Sequence, residues 1–234
     1  MRHSIFALWV AVCLLLANGC SKNISRATAA MVFSVKGNVA FGSAEQNDFE
    51  PVTPKSRIHD GDTVRSAEGA SIDLALIPGC FAQLSGNSEI KIEELRIVKD
   101  GNETTDGILD RSARIRLVRG RVIVLFTPSD ESDSQFAISV RQLTIKPDSD
   151  CLLSIQTDGT TTRVTCAKGT VNVSAEAQPT MTISAGYFGQ WPAGNPKPIA
   201  AANDPIAQID VTDSLKAEEQ LLFQASHWRN RRPL

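Results

Sequence analysis

The sequence predicts an all-β fold: a bent-strand β-sandwich or β-roll of about twelve or more short strands, with one amphipathic helix at the C-terminal end. Three observations predict it. Apolar and polar residues alternate through much of the chain, the period of two that half-buried strands require. Turn-forming pairs punctuate the alternation at Gly61-Asp62, Pro78-Gly79, Gly86-Asn87 and Asp158-Gly159. A step of basic residue, glycine, polar residue and valine recurs as Lys36-Gly37-Asn38-Val39, Arg119-Gly120-Arg121-Val122 and Lys168-Gly169-Thr170-Val171.

Residues 113–126 hold the clearest strand. Ile115 and Leu117 point one way, Arg114 and Arg116 the other. After Gly120 the run 122–126 is apolar without a break, as in a strand covered on both faces. Glycine enters positive φ without steric cost, so a glycine inside a strand marks a bulge or a sharp bend. Gly37, Gly120 and Gly169 are therefore expected to be structural corners at which strands bend.

The chain opens on a targeting segment. Arg2 supplies a positive start, residues 5–17 are apolar, and small residues lead to Cys20. The apolar run is too short to span a bilayer comfortably, which indicates an export signal. The placement of Cys20 resembles a bacterial lipoprotein signal, in which that cysteine becomes the acylated first residue. Ala17 stands where such signals usually carry Leu. The alternative is simple cleavage and release near Ala27-Thr28-Ala29. Ser21 in place of Asp indicates, by resemblance to enteric lipoproteins, the outer rather than the inner membrane. The expected organisation is a signal peptide at 1–19, a polar tether at 20–30, a β domain at 31–191, a Pro/Ala-rich linker at 192–211, and a helix with a basic tail at 212–234.

Within the β domain, Phe33, Val35, Val39 and Phe41 form a first strand around Gly37. Residues 47–54 are a loop or short edge strand, and β-branched residues follow the turn at 59–62. Ile72, Leu74 and Leu76 alternate with polar or small neighbours, and 81–84 and 88–92 make two more strands. Residues 99–112 are expected to be an exposed loop, and 128–134 another. Phe136, Ile138 and Val140 face inward, and Leu143 and Ile145 precede the Pro147 turn. Residues 151–156 and 161–166 form a hairpin about Asp158-Gly159. Val171 and Val173, then Met181 and Ile183, complete the set. Thr212 or Asp213 is placed to cap the helix, with Leu215, Leu221, Leu222 and Ala225 as its apolar stripe.

Composition excludes some functions. The 234 residues carry a net charge of −2, which argues against a nucleic-acid binder. A hydrophobic fraction of 42% is ample for a core. No other apolar run is long enough to cross a membrane. Phosphate-binding loops, dinucleotide fingerprints and nucleophile elbows are absent, and no cofactor is implied. His59 beside Asp60 and Asp62 is the one constellation resembling an acid/base or metal site, although the same residues suit a polar turn. Asp148 and Asp150 lack the further ligands of a calcium loop. Tyr187, Phe188 and Trp191 either stack on a ligand or close one end of the core.

In this order and spacing, 35–39, Ile58 with 61–66, the strand 70–76 with Gly79, 117–122, 168–171, and Ile183 with Ala185-Gly186 resemble the FecR domain family over residues 32–188. The resemblance implies a periplasmic β-rich domain of the kind found in regulators that relay a receptor signal to a sigma factor. Here nothing cytosolic is expected before the apolar run and no second receiving domain is expected after the β domain, so the relay mechanism is not carried over.

The expected function is that of a non-enzymatic, lipid-anchored binding, assembly or sensory module on the periplasmic face of the envelope, with a protein partner. A periplasmic hydrolase with a site near His59 and Asp62 is the competing reading. A disulfide is expected between Cys151 and Cys166. If Asp158 and Gly159 are the two turn residues, these cysteines lie directly opposite each other, at a Cα separation of about 5.5 Å in a hydrogen-bonded pair. Cys80 is left without a partner, and the competing reading is three reduced cysteines acting as small buried hydrophobes.

Overall fold

The computed structural model describes residues 24–99, 108–128, 133–176, 179–192 and 197–230. In chain order the first half forms β1 (Ile24–Ala27), β2 (Ala30–Lys36), β3 (Val39–Ser43), β4 (Asp48–Pro51), β5 (Arg57–Ile58), β6 (Thr63–Ser66), β7 (Ser71–Ile77), β8 (Cys80–Leu84) and β9 (Ser88–Lys99). The second half forms β10 (Ile108–Phe126), β11 (Asp133–Val140), β12 (Leu143–Pro147), β13 (Cys151–Thr157), β14 (Thr162–Lys168), β15 (Thr170–Ala175), β16 (Met181–Ser184), β17 (Tyr187–Trp191) and β18 (Ile199–Ala200). A short 3-10 turn (Ala201–Asn203) leads into one long helix, α1 (Pro205–Asn230).

Hydrogen bonding joins these strands into one continuous sheet folded into two layers that share β10. The first layer runs β4–β3–β6–β9–β10–β11–β12–β15–β16, with β1 on the far half of β9. The second runs β5–β2–β7–β8–β10–β13–β14–β17–β18. Up to Arg119, β10 pairs with β9 and β11; from Gly120 on, it pairs with β8 and β13. Its burial follows its sequence. Ala113, Ile115 and Leu117 are buried while Arg114 and Arg116 are exposed, and beyond the bend every residue of 122–126 is buried.

Gly120 is the bend. Its φ is +83°, and a Cβ there would stand 2.4 Å from Ser88 Oγ and 2.5 Å from Ser88 Cα. Ser88 lies where the chain crosses from β8 to β9, so two layer-switching segments touch at this point. Gly169 does the same between β14 and β15: φ is +75°, and a Cβ would meet the Asp150 carbonyl oxygen at 2.0 Å, at the β12-to-β13 crossing. Gly37 carries the chain from β2 in the second layer to β3 in the first. Only glycine serves where the backbone is left-handed and another backbone passes this closely.

The core fills the space between the layers. Ile72, Leu74, Ile90, Ile92, Ile115, Ile138, Ile145 and Ile155 are each fully buried there. The outer face of the second layer is apolar as well, and α1 covers it: Ala217 and Leu221 pack on Ile123, Leu125 and Leu152, and Ala207 packs on Phe188 and Ala201.

The helix begins earlier than the sequence pattern predicts. Asp204, in extended conformation, accepts the Ala207 N–H at 2.8 Å, and Pro205 occupies the first helical position, where its missing N–H costs nothing. Neither Thr212 nor Asp213 is the cap. Of the expected stripe, Leu221 is buried and Ala225 half-buried, but the rest of the inward face is different. Ala207, Asp210, Ser214, Ala217 and Leu221 face the sheet, while Leu215 and Leu222 are 38% and 49% exposed. The expected linker 192–211 thus contains β18, the 3-10 turn and the first helical turns. In the described end of the expected tether, Ile24–Ala27 and Ala30 are strand rather than free chain, and 108–112 belong to β10 rather than to a loop.

Candidate partner-binding face

With α1 sealing one layer, the outer face of the other remains open. It carries an ion-pair ladder. Arg65 and Arg119 both approach Glu89, at 3.2 and 3.3 Å. Arg116 binds Glu93 through Nη2 at 2.6 Å and Nε at 2.7 Å. Arg114 binds Glu94 at 2.5 Å, and Arg96 stands 3.7 Å from the same carboxylate. Arg65 also lies 4.0 Å over the Phe49 ring.

A β-bulge makes the ladder possible. Arg114 pairs with Glu94 and Ile115 with Ile92, so Glu93 is the extra residue, and two consecutive glutamates come to the same side. The Ser112 hydroxyl, donating to Glu94 at 2.7 Å, and then Arg114 and Arg96 hold the Glu94 carboxyl below the ordinary glutamate range. Five arginines share three glutamates, leaving the face with surplus positive charge. Beside the ladder lies a shallow concavity of about 430 Å³, lined by Glu94, Ser112, Arg114, Gln135, Thr144 and Lys146.

The sequence-expected acid/base constellation is a turn. Asp62 Oδ2 accepts the His59 N–H at 2.7 Å, and the Asp62 N–H returns to the His59 carbonyl at 3.1 Å. Asp60 Oδ1 accepts the Leu95 N–H at 2.6 Å. Burial raises the Asp60 carboxyl above its usual value, partly offset by that bond. The Asp62 carboxylate is thus committed to closing the turn, and the Asp60 carboxylate to holding β9 against it. Among the described residues no group of three or more His, Cys, Asp or Glu side chains is placed to hold a metal ion. Asp148 and Asp150 are exposed. Phe188 and Trp191 are buried in different clusters, Phe188 under α1 and Trp191 in the main core, while Tyr187 is 44% exposed, so the three do not converge.

The hairpin register departs from the expected one. Asp158 Oδ1 accepts the Thr160 and Thr161 N–H groups, each at 2.7 Å, and spreads the turn over residues 158–161. Thr157 then pairs with Thr162 and Leu153 with Cys166, with an irregularity beyond Leu153. Cys151 is not opposite Cys166. The two thiols are free and buried; the neighbouring Cys166 thiol and then burial push the Cys151 thiol up. Cys80, also free, is raised by burial alone. Cys20 lies outside the described residues.

Residues 62–172 match the family model described as FecR protein. Over this segment the chain is similar to FecR domains. The match begins at the turn before β6 and ends within β15, so the FecR segment contains the β10 bend, Gly169 and every arginine and glutamate of the ladder. The strands β2, β3 and β17 and the helix α1, which complete both layers, lie outside the matched segment. Two crystal structures described as "a putative anti-sigma factor from Parabacteroides distasonis ATCC 8503" are similar at 13% and 14% identity, with TM-scores of 0.40 and 0.39. Each similarity covers 55% of this chain and 53% of the other, so the chain spans about half the length of these structures. No curated relative matches the chain. No helix among the described residues is long and apolar enough to cross a membrane.

Proposed function

We propose that this protein is a non-enzymatic, sensory or assembly module of the bacterial envelope. It is held at the periplasmic face of the outer membrane by a lipid on Cys20, and it binds a protein partner across the ladder face of its FecR-like domain. The observation that carries this reading is the asymmetry of the two layers: one outer face is sealed by α1, and the other presents paired arginines and glutamates to solvent. Surplus arginine on that face suits a partner with an acidic surface. The FecR match is consistent with a regulatory role. The lipid anchor is supported by the apolar leader ending at Cys20.

A photo-crosslinking amino acid placed at Arg116, compared with one at exposed Glu219 on α1, tests the face in intact cells. The expected result is a discrete protein adduct from position 116 that is lost when Arg114 and Arg119 are changed to Glu. Equal adducts from both positions, or none from 116, would reject this face. Fractionation tests the anchor separately: Cys20→Ser should leave the membrane fraction.

A further inference from the structure

We infer that the arm formed by β1, the distal half of β9 and the start of β10 is a membrane-contact surface that rests on anionic phospholipid. This rests on the lipid-anchor reading and adds to it a defined orientation on the bilayer. The arm continues the first layer past the core. Leu95 and Ala113 pair with each other and are the last buried residues on its inner face.

Residues directly opposite in antiparallel pairing share a face. Ile24 pairs with Lys99, Arg26 with Ile97, Lys99 with Ile108, and Ile97 with Arg111. The inner face of the arm therefore carries Ile24, Ile97, Ile108, Arg26, Lys99 and Arg111 side by side. Ile24 is 40% exposed, Arg26 and Lys99 are exposed, and the others are half-buried. Asp110, the one acid in 24–27, 95–99 and 108–113, pairs with Val98 on the opposite face. The contrast with the ladder is direct: there each arginine meets a glutamate, whereas among the described residues Arg26, Lys99 and Arg111 form no ion pair. The patch runs through Ile97 into an apolar recess of about 460 Å³ under the end of α1, with exposed Arg57 also in its lining.

The length of chain between anchor and arm selects the occupant. Four residue steps separate Cys20 from Ile24, a reach of at most about 14 Å. An acylated Cys20 therefore holds this end of the domain at headgroup depth. Isoleucines interleaved with bases that form no ion pair among the described residues are the chemistry that binds an anionic interface: the apolar groups enter the headgroup boundary and the cations meet phosphate.

The test uses the chain from residue 20 with Cys20→Ser, which keeps every described residue and removes the lipid. Its binding is measured to phosphatidylethanolamine–phosphatidylglycerol vesicles and to phosphatidylcholine vesicles. Binding to the anionic vesicles alone is expected, weakening with salt and falling about fivefold for each charge removed in Arg26→Gln and Lys99→Gln. Arg114→Glu with Arg116→Glu, on the ladder face, should leave it unchanged. Equal binding to both vesicles, no effect of Arg26→Gln with Lys99→Gln in a protein of unchanged melting temperature, or loss through the ladder variant would each overturn the proposal. Because the lipid is absent, these outcomes are independent of whether Cys20→Ser leaves the membrane fraction in cells.

Discussion

The Arg121 guanidinium, on the first residue after the β10 bend, reaches the buried Asp210 carboxylate of α1 at 3.1 Å. The same group binds Asp213 at 2.8 Å, and Thr165 donates to Asp210 at 3.2 Å. Further along, Gln220 and Gln224 both donate to Asp73, itself buried in β7. The helix is thus joined to the second layer by specific polar contacts as well as by small apolar residues. Arg121→Ala would strand Asp210 at the interface, where burial already lifts its pKa. We expect a loss of about 3 kcal/mol in urea denaturation, with most of it recovered in the double variant Arg121→Met, Asp210→Leu. If α1 were only a loosely attached tail, Arg121→Ala would leave the unfolding midpoint unchanged.

The β10 bend makes a second prediction, which separates backbone strain from lack of space. Gly61 has φ of +90° and nothing within 4 Å of the place a Cβ would take, whereas Gly120 has φ of +83° with Ser88 in the way. Gly61→Ala should cost about 1–2 kcal/mol, the penalty for a left-handed alanine. Gly120→Ala carries that penalty and must also displace the Ser88 backbone, so we expect at least about 3 kcal/mol. Equal losses for the two would mean that the crossing at Ser88 is not tight. Thermal or urea unfolding of both variants decides it.

What is legible in the sequence follows from which residues carry the signal. The bend in β10 is readable because alternation before Gly120 and continuous apolarity after it record two different environments. The register of α1 is hidden because its buried face is built from Ala207, Asp210, Ser214 and Ala217, which no apolar period reveals, while Leu215 and Leu222 face outward. The ladder is hidden because the Glu93 bulge breaks the period of two at the point where the face is made. The place of the hairpin turn is legible but its length is not, since the Asp158 carboxylate competes with the two-residue turn that Asp-Gly favours.

That carboxylate gives the third prediction. Hydrogen bonds from the Thr161 N–H, and then from Thr160, lower the Asp158 pKa to about 2. A depressed acid contributes stability that is present above its unfolded value of about 3.9 and lost as pH falls through the folded one. The stability difference between wild type and Asp158→Asn should therefore shrink as pH falls from about 5 toward 2. Urea midpoints across that range are the measurement. A difference independent of pH would show that the Asp158 charge plays no part in the turn.

The last prediction, which rests on the proposed export of the protein, is that Cys151 and Cys166 become a disulfide. Strand register alone does not bring them together, because Cys166 faces Leu153 and Cys151 faces Phe126. The side chains are neighbours all the same: Cys166 is the largest cause of the raised Cys151 thiol, and the β13–β14 ladder is irregular beside them. Two neighbouring thiols need a modest further movement to reach bonding distance. An oxidising compartment supplies the acceptor for the two electrons, and the two protons leave with them. Burial of both thiols slows exchange once the bond is made. Cys80 flanks the same Phe126 from β8 and is the competing partner. The bridge would close a loop of about 15 residues and contribute about 3 kcal/mol. Mass spectrometry of an unreduced digest of periplasm-derived protein should yield a linked peptide containing Cys151 and Cys166, with Cys80 recovered as a free thiol. A Cys80-linked peptide, or free thiol at both Cys151 and Cys166, would refute the pairing, and in that case dithiothreitol should leave the unfolding midpoint where it was.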